Sequence, residues 1–221
     1  MGAAAVPVIA IDGPSASGKG TVAQAVARKL GFHYLDSGAL YRLVGLDAMR
    51  QGVDLGDGPA LTAVASRLDA RFVGEEVFLG ADRATEAIRT EACSAAASRV
   101  AAVPGVRAAL LDRQQGFRRP PGLVAEGRDM GSLVFPDARL KVFLTASLET
   151  RAERRYKQLK DKGIAANIQI LLRDLEERDA RDAARVVAPL KPAPDARILD
   201  TTGLTPGEAA DAVLAWYRDE R

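Results

Sequence analysis

Ile9-Ala10-Ile11-Asp12-Gly13-Pro14-Ser15-Ala16-Ser17-Gly18-Lys19-Gly20-Thr21 is the stretch from which the fold is read. The apolar run over 6–11 predicts a buried strand. It breaks at Gly13-Pro14, passes through small residues and enters an alanine-rich segment in which Val22, Ala25, Val26 and Leu30 recur at helical spacing. Gly13, Gly18 and Lys19 fit the phosphate-binding loop pattern of Gly, four residues, Gly-Lys. A polyphosphate held against backbone N–H groups demands residues without bulky side chains, so Gly13, Pro14, Ser15, Ala16, Ser17, Gly18, Lys19, Gly20 and Thr21 are the candidate cradle. The helix N-terminus that follows adds orphan donors and a partial positive charge. Lys19 supplies a mobile ammonium for the terminal phosphates.

The strict pattern places Ser or Thr directly after the lysine, where the hydroxyl meets Mg²⁺. Here Gly20 stands there and Thr21 follows, so Thr21 is a candidate for the metal or for a phosphate. Gly18, Gly20 and Ala23 also fit the dinucleotide pattern Gly-x-Gly-x-x-Ala. That fingerprint begins where its strand ends, whereas Gly18 lies well past Ile11, and it leaves Gly13 and Lys19 unexplained. It is rejected.

A chain of 221 residues with 48% hydrophobic content can bury a full core, as one domain or one domain with insertions. A net charge of +2 points to neither nucleic acid nor an acidic membrane. Cys93 is the single cysteine and His33 the single histidine, which excludes disulfides and a Cys/His zinc site. Met1-Gly2-Ala3-Ala4-Ala5 reads as neither a signal peptide nor a spanning segment, and Val6 stands where a myristoylation signal needs Ser or Thr. A cytoplasmic protein is expected.

In chain order, a helix over about 19–30 ends at Gly31, and 32–35 is a short strand leading to Asp36-Ser37-Gly38. The next helix carries Leu40, Leu43, Val44 and Met49 on its apolar side, with Ser37 expected as its cap. Strand, loop, helix repeated twice is the rhythm of a parallel sheet, whose ligands gather at the carboxyl ends of the strands. A helix is expected over 59–67, then a small hairpin of 70–73 and 77–79 joined by Gly74-Glu75-Glu76, then helical pieces near 85–88 and 91–100. This interruption is read as a subdomain inserted over the ligand end of the sheet, at about 61–100. A helix from Pro104 to about 117 turns Val106, Leu110 and Leu111 inward, and Arg118-Arg119-Pro120-Pro121-Gly122 is a rigid turn. Strands follow at 123–125, 140–144 and 197–200. Two highly charged helices, about 149–162 and 166–184, precede the last strand. Thr205-Pro206-Gly207-Glu208 is a capping box opening the final helix.

Arg42, Arg107, Arg128, Arg154, Arg155, Arg178, Arg181 and Arg185 fall near the predicted strand ends or in the charged helices. An exposed arginine on a helix ordinarily only solvates. Grouped opposite a phosphate loop, planar forks suit phosphoryl transfer, which needs alignment and cationic stabilisation more than covalent work. Glu126, ending a strand, has two readings: a structural charge, or a carboxylate that holds water on Mg²⁺. Asp129 next to Arg128 is either a local salt bridge or, with Arg107, a reader of cytosine, whose N4 donates while N3 and O2 accept.

Ile11-Asp12-Gly13-Pro14, Ser17-Gly18-Lys19-Gly20-Thr21 and Leu35-Asp36-Ser37-Gly38-Ala39-Leu40-Tyr41-Arg42 together resemble bacterial cytidylate kinases. So do Glu126-Gly127-Arg128-Asp129-Met130-Gly131, Glu177-Arg178-Asp179-Ala180-Arg181-Asp182 and Val187-Ala188-Pro189-Leu190. Gly-Lys-Gly-Thr is also the loop form of nucleoside monophosphate kinases rather than of GTPases. The resemblance covers nearly the whole chain. It implies an α/β P-loop kinase core with a central parallel sheet flanked by helices, an inserted monophosphate-binding subdomain and a helical lid. On that reading 1–221 is a single domain, with a core of about 1–60, 101–150 and 166–221, the insert at about 61–100 and the lid at about 151–165.

The implied reaction is ATP-dependent phosphorylation of CMP and dCMP with Mg²⁺, by a monomer that binds neither nucleic acid nor membrane. By position, Ser98, Arg107 and Asp129 would meet the base, and Ser37, Asp182 and Arg185 the sugar or its surroundings. Arg42, Arg128 and Arg178 would hold phosphates, while Arg154 and Arg155 would close over ATP. Lys19, Arg128, Arg178, Arg154 and Arg155 are thus the implied catalytic set, with Thr21 and Glu126 at the metal, Glu126 through water. Two departures from the family pattern stand out: Glu126 where many relatives carry Asp, and a short hairpin turn in the insert.

A switch GTPase is excluded, because Asn167 is the only asparagine and Asn-Lys-x-Asp cannot be made. A non-enzymatic nucleotide-binding module would not need two arginine-rich edges around a second pocket. Among acceptors, Asp129 favours a base with an exocyclic amine, which argues against UMP and by itself leaves AMP open.

Overall fold

β1, Val8–Asp12, is buried along its whole length, as a strand with neighbours on both sides and helices over its faces should be. The computed structural model describes residues 6–74 and 76–220. The Met1-Gly2-Ala3-Ala4-Ala5 start and Glu75 of the hairpin turn lie outside the described residues. Two compact units are present, one made of Met1–Leu35 and Phe117–Arg221, the other of Asp36–Gly116.

The first unit is built on a five-stranded sheet. Its strands are β1, β2 (His33–Asp36), β6 (Leu123–Gly127), β7 (Leu140–Thr145) and β8 (Arg197–Asp200), in the order β2-β6-β1-β7-β8. β1 runs parallel to β6 and to β7, and β8 parallel to β7. The register sets Ile11 beside Glu126 and Asp12 beside Gly127, so the polar residues that end β1 and β6 emerge at one edge. Helices α1 (Lys19–Leu30) and α8 (Pro206–Asp219) cover one face. There Val22, Val26, Val213 and Leu214 pack on Ile9, Ile11, Val124, Val142 and Leu144. Full burial of each such side chain is worth about 1.5–3 kcal/mol. Thr205 and Glu208 form the expected capping box of α8. α6 (Leu148–Asp161) and α7 (Ile168–Ala183), the two charged helices, pack on each other.

The second unit holds α2 (Ser37–Arg50), α3 (Gly58–Ser66), α4 (Glu91–Val100), α5 (Pro104–Gln115) and a small antiparallel sheet, β3 (Ala70–Val73), β4 (Glu76–Leu79) and β5 (Asp82–Arg83). This unit is wider than the 61–100 insert expected from the sequence. α2 packs on α4 and α3 on α5, which draws both flanking helices into it. Arg113 of α5 ties it further by donating to the carbonyls of Leu68 at 2.6 Å and Ala70 at 3.2 Å. Leu111 is only half-buried, and the buried polar positions on α5 are Arg107 and Gln114. Among the described residues no helix is long and apolar enough to cross a membrane.

Candidate active site

The opening of α1 differs from that of most other helices. Asp36, Asp57, Thr90, Ser147, Asn167 and Thr205 cap α2, α3, α4, α6, α7 and α8 by accepting from backbone N–H groups. α1 instead starts at Gly18 with no side-chain cap bond and no acidic residue in its first turn. Its first N–H groups have no carbonyl partner within the helix, and the helix dipole adds positive charge. An anion would complete this terminus.

The loop before it is held by its carbonyls. Lys19 Nζ donates to the Pro14 carbonyl at 3.0 Å and Arg151 Nη1 to that of Ser15 at 3.3 Å. Arg154 Nη1 and Thr201 Oγ1 donate to that of Ser17, at 3.2 and 3.0 Å. Tethering carbonyls outward leaves amides to face a ligand. Gly13 admits no side chain, because a Cβ there would fall 2.1 Å from the Leu144 carbonyl oxygen. Ser17 is buried, and among the described residues its Oγ has no hydrogen-bond partner.

Asp12, at the end of β1, braces the neighbouring turn. Its two carboxyl oxygens accept from the backbone N–H groups of Met130 and Gly131, each at 2.8 Å. Burial pushes its carboxyl up to about 7, against the pull of those two N–H groups. This strut places Arg128 and Asp129 just before the π-helical turn Met130–Val134. Asp129 is buried.

Asp182 of α7 gathers arginines. Arg128 Nε donates to its Oδ2 at 2.9 Å, and Arg185 Nη2 pairs with its Oδ1. Burial alone would raise this carboxyl, but Arg128, Arg185 and Arg178 outweigh it and hold the group below the usual carboxylate range. A depressed folded-state pKa contributes stability above about pH 4, where unfolded aspartate ionises, and loses it as pH falls further. Asp182→Asn is therefore expected to cost about 3 kcal/mol at pH 7. Melting curves from pH 7 to 3 should show wild type losing that advantage below about pH 4; parallel curves would contradict the assignment.

The charged helices separate by role. Arg151 is buried and paired with Asp179 at 2.7 Å. Arg154 donates to both the hydroxyl and the carbonyl of Thr201, at 3.0 and 2.5 Å. Arg155 reaches Gln158 at 3.3 Å. Thr21 is exposed, while Glu126 is buried and accepts from the Tyr34 hydroxyl at 2.5 Å.

In the second unit, Arg42 pairs with Asp36 at 2.6 Å. Asp36, not Ser37, caps α2: its Oδ1 accepts from the Ala39 N–H at 3.0 Å, and Ser37 is the first helical residue, buried. The longer carboxylate reaches the amide three residues on while its other oxygen orients Arg42. Arg107 is buried, donates to the Ala101 carbonyl at 3.3 Å and lies 5.8 Å from the centre of the Tyr41 ring. Ser98 is buried, and among the described residues its Oγ has no hydrogen-bond partner.

Asp12, Tyr34, Asp36, Arg151 and Thr201 are additions that the sequence reading did not single out. Asp12 and Asp36 each end a strand directly before a small residue, a position that could have flagged them. Nothing local distinguishes Arg151 from its charged neighbours.

The profile of the family described as cytidylate kinase matches residues 9–219. The cytidylate kinase of Bordetella bronchiseptica is 59% identical over 98% of this chain and 97% of that protein. That of Cupriavidus necator is 59% identical over 96% of each. A crystal structure of an uncharacterised protein from Eubacterium ventriosum shares the fold at a TM-score of 0.53 and 12% identity, over 97% of this chain and 99% of that one. A full-length profile match, relatives of this identity and an α1 terminus open to an anion agree: the chain belongs to the cytidylate kinase family.

Proposed function

We propose that the chain transfers the γ-phosphoryl group of ATP to the phosphate of CMP or dCMP, forming CDP or dCDP. The observation that carries this reading is the uncapped N-terminus of α1 behind a loop whose carbonyls are tethered. Backbone N–H groups of the loop, Pro14 having none, take the ATP phosphates, and Lys19 exchanges its Pro14 carbonyl for them. Arg128 and Arg178, oriented around Asp182, stabilise charge on the transferring group, and Arg154 and Arg155 hold the donor. The acceptor oxygen of the monophosphate attacks in line, so alignment rather than a covalent enzyme intermediate supplies the rate.

On the acceptor side, Asp129 accepts from the cytosine amine, and Arg107 and Ser98 donate to its ring acceptors. The unpartnered Ser98 hydroxyl supports that role, because a buried polar group asks for a partner. Ser37, Asp182 and Arg185 meet the sugar, and Arg42 takes the acceptor phosphate. The segment 151–165 serves as lid, and the second unit as the monophosphate-binding subdomain. The protein acts as a cytoplasmic monomer, without nucleic acid or membrane.

The donor set fits Mg²⁺. Glu126 offers a buried hard oxygen beside α1, and no cluster of three or more His, Cys, Asp or Glu suited to a metal occurs among the described residues. Mg²⁺ is typically bound by one or two carboxylates plus substrate phosphates rather than in a protein cage. Glu126, through water, and Thr21 would hold it, and the ion would neutralise charge on the β- and γ-phosphates.

A coupled assay with ATP against CMP, dCMP, UMP and AMP is expected to show turnover concentrated on CMP and dCMP; preference for AMP would overturn the assignment. Asp129→Ala should raise KM for CMP about 10-fold or more, the weight of a charged acceptor lost from the base amine, and leave KM for ATP unchanged. Equal effects on both would remove its base-reading role.

A further inference from the structure

Glutamate at 126 is one methylene longer than an aspartate would be, and the extra reach is used twice. Its Oε1 accepts from the Tyr34 hydroxyl at 2.5 Å, and a Cβ built on Gly20 would lie 2.8 Å from that same oxygen. Gly20 is where the strict phosphate-loop pattern carries a hydroxyl residue. The carboxylate thus stands in the space that a side chain at position 20 would take, beside the positive end of α1. An aspartate would end about 1.5 Å short of it.

We propose that Gly20, Glu126 and Tyr34 form one device, in which Tyr34 is a positioning residue that aims the Glu126 carboxylate at the metal ion carried in with ATP. The inference rests on the ATP-dependent reading above. Glutamate has three side-chain torsions, and left loose it would lose entropy on meeting an ion. A phenolic donor from the adjacent strand β2 fixes one oxygen and so sets the orientation in which the carboxylate would meet a metal-bound water. Such outer hydrogen bonds orient metal ligands and are worth about 10-fold or more in affinity.

The test is Mn²⁺ binding followed by electron paramagnetic resonance, with a non-hydrolysable ATP analogue present. Analogue affinity in EDTA is measured alongside and reports an intact fold and cradle. Glu126→Gln is expected to weaken Mn²⁺ binding, and Tyr34→Phe to weaken it about 10-fold, with EDTA affinity unchanged. Gly20→Ala should weaken it as well, because its methyl displaces Oε1. In a Glu126→Asp background, where the carboxylate is withdrawn from both neighbours, Tyr34→Phe and Gly20→Ala should add nothing. Unchanged Mn²⁺ affinity in Tyr34→Phe, or an equal loss in the aspartate background, overturns the positioning role while the ATP reading stands. Failure of wild type to bind the analogue at all overturns the ATP reading itself.

Discussion

Lys19→Ala is expected to lower kcat by on the order of 10²–10³, the range seen when one preorganised donor is removed from a developing charge. The fold should persist. Lys19 opens α1, and its ammonium donates to a nearby loop carbonyl, that of Pro14, at 3.0 Å. Lys19 is only half-buried, and alanine is a strong helix former. Steady-state assays beside thermal melting distinguish the two effects. Full activity would remove the phosphate-loop assignment, and a collapse in melting temperature would make Lys19 a structural residue instead.

Asp12→Asn should destabilise the first unit although it changes a single atom. An amide offers one oxygen where the carboxyl offers two acceptors, so one of the Met130 and Gly131 N–H groups loses its partner and faces another donor. An orphaned buried donor costs about 1–3 kcal/mol. The pH dependence has the opposite sign to that of Asp182. With its carboxyl at about 7 in the folded protein and 3.8 as its ordinary value, Asp12 keeps a proton in the native state that the unfolded chain releases earlier. Its contribution is fully present below about pH 4 and is lost as pH rises toward 7. Melting temperatures from pH 4 to 8 should therefore fall more steeply in wild type than in Asp12→Asn. Identical slopes would mean that the carboxyl is ionised throughout.

Much of the fold was legible because it is written in local signals. α1 runs Lys19–Leu30 and β8 runs Arg197–Asp200, as the glycine stop and the apolar pattern predict, and Thr205 with Glu208 makes the capping box. What stayed hidden depends on tertiary partners. Arg151 and Arg155 are both arginines in one charged run, yet Arg151 is buried against Asp179 while Arg155 bonds to Gln158 one turn along. Only the packing of α6 on α7 separates them. No composition change marks the edges of the 36–116 unit; they follow from α2 meeting α4 and α3 meeting α5. Ser37 read as a cap because serine is a favoured capping residue, but the neighbouring Asp36 took the role and Ser37 became buried.

The Asp12 strut has a consequence for substitutions in the turn it braces. Asp12 stands directly before the phosphate loop and accepts from the peptide N–H groups just after Asp129, so the loop and the 128–131 turn hold a common reference point. Swapping the side chain at 129 keeps both hydrogen bonds, which the amides of 130 and 131 make, but a neutral residue there removes a negative charge that helps raise the Asp12 carboxyl. A substitution at 129 thus acts on Asp12 through charge alone, whereas inserting or deleting a residue in 127–131 would break the strut itself.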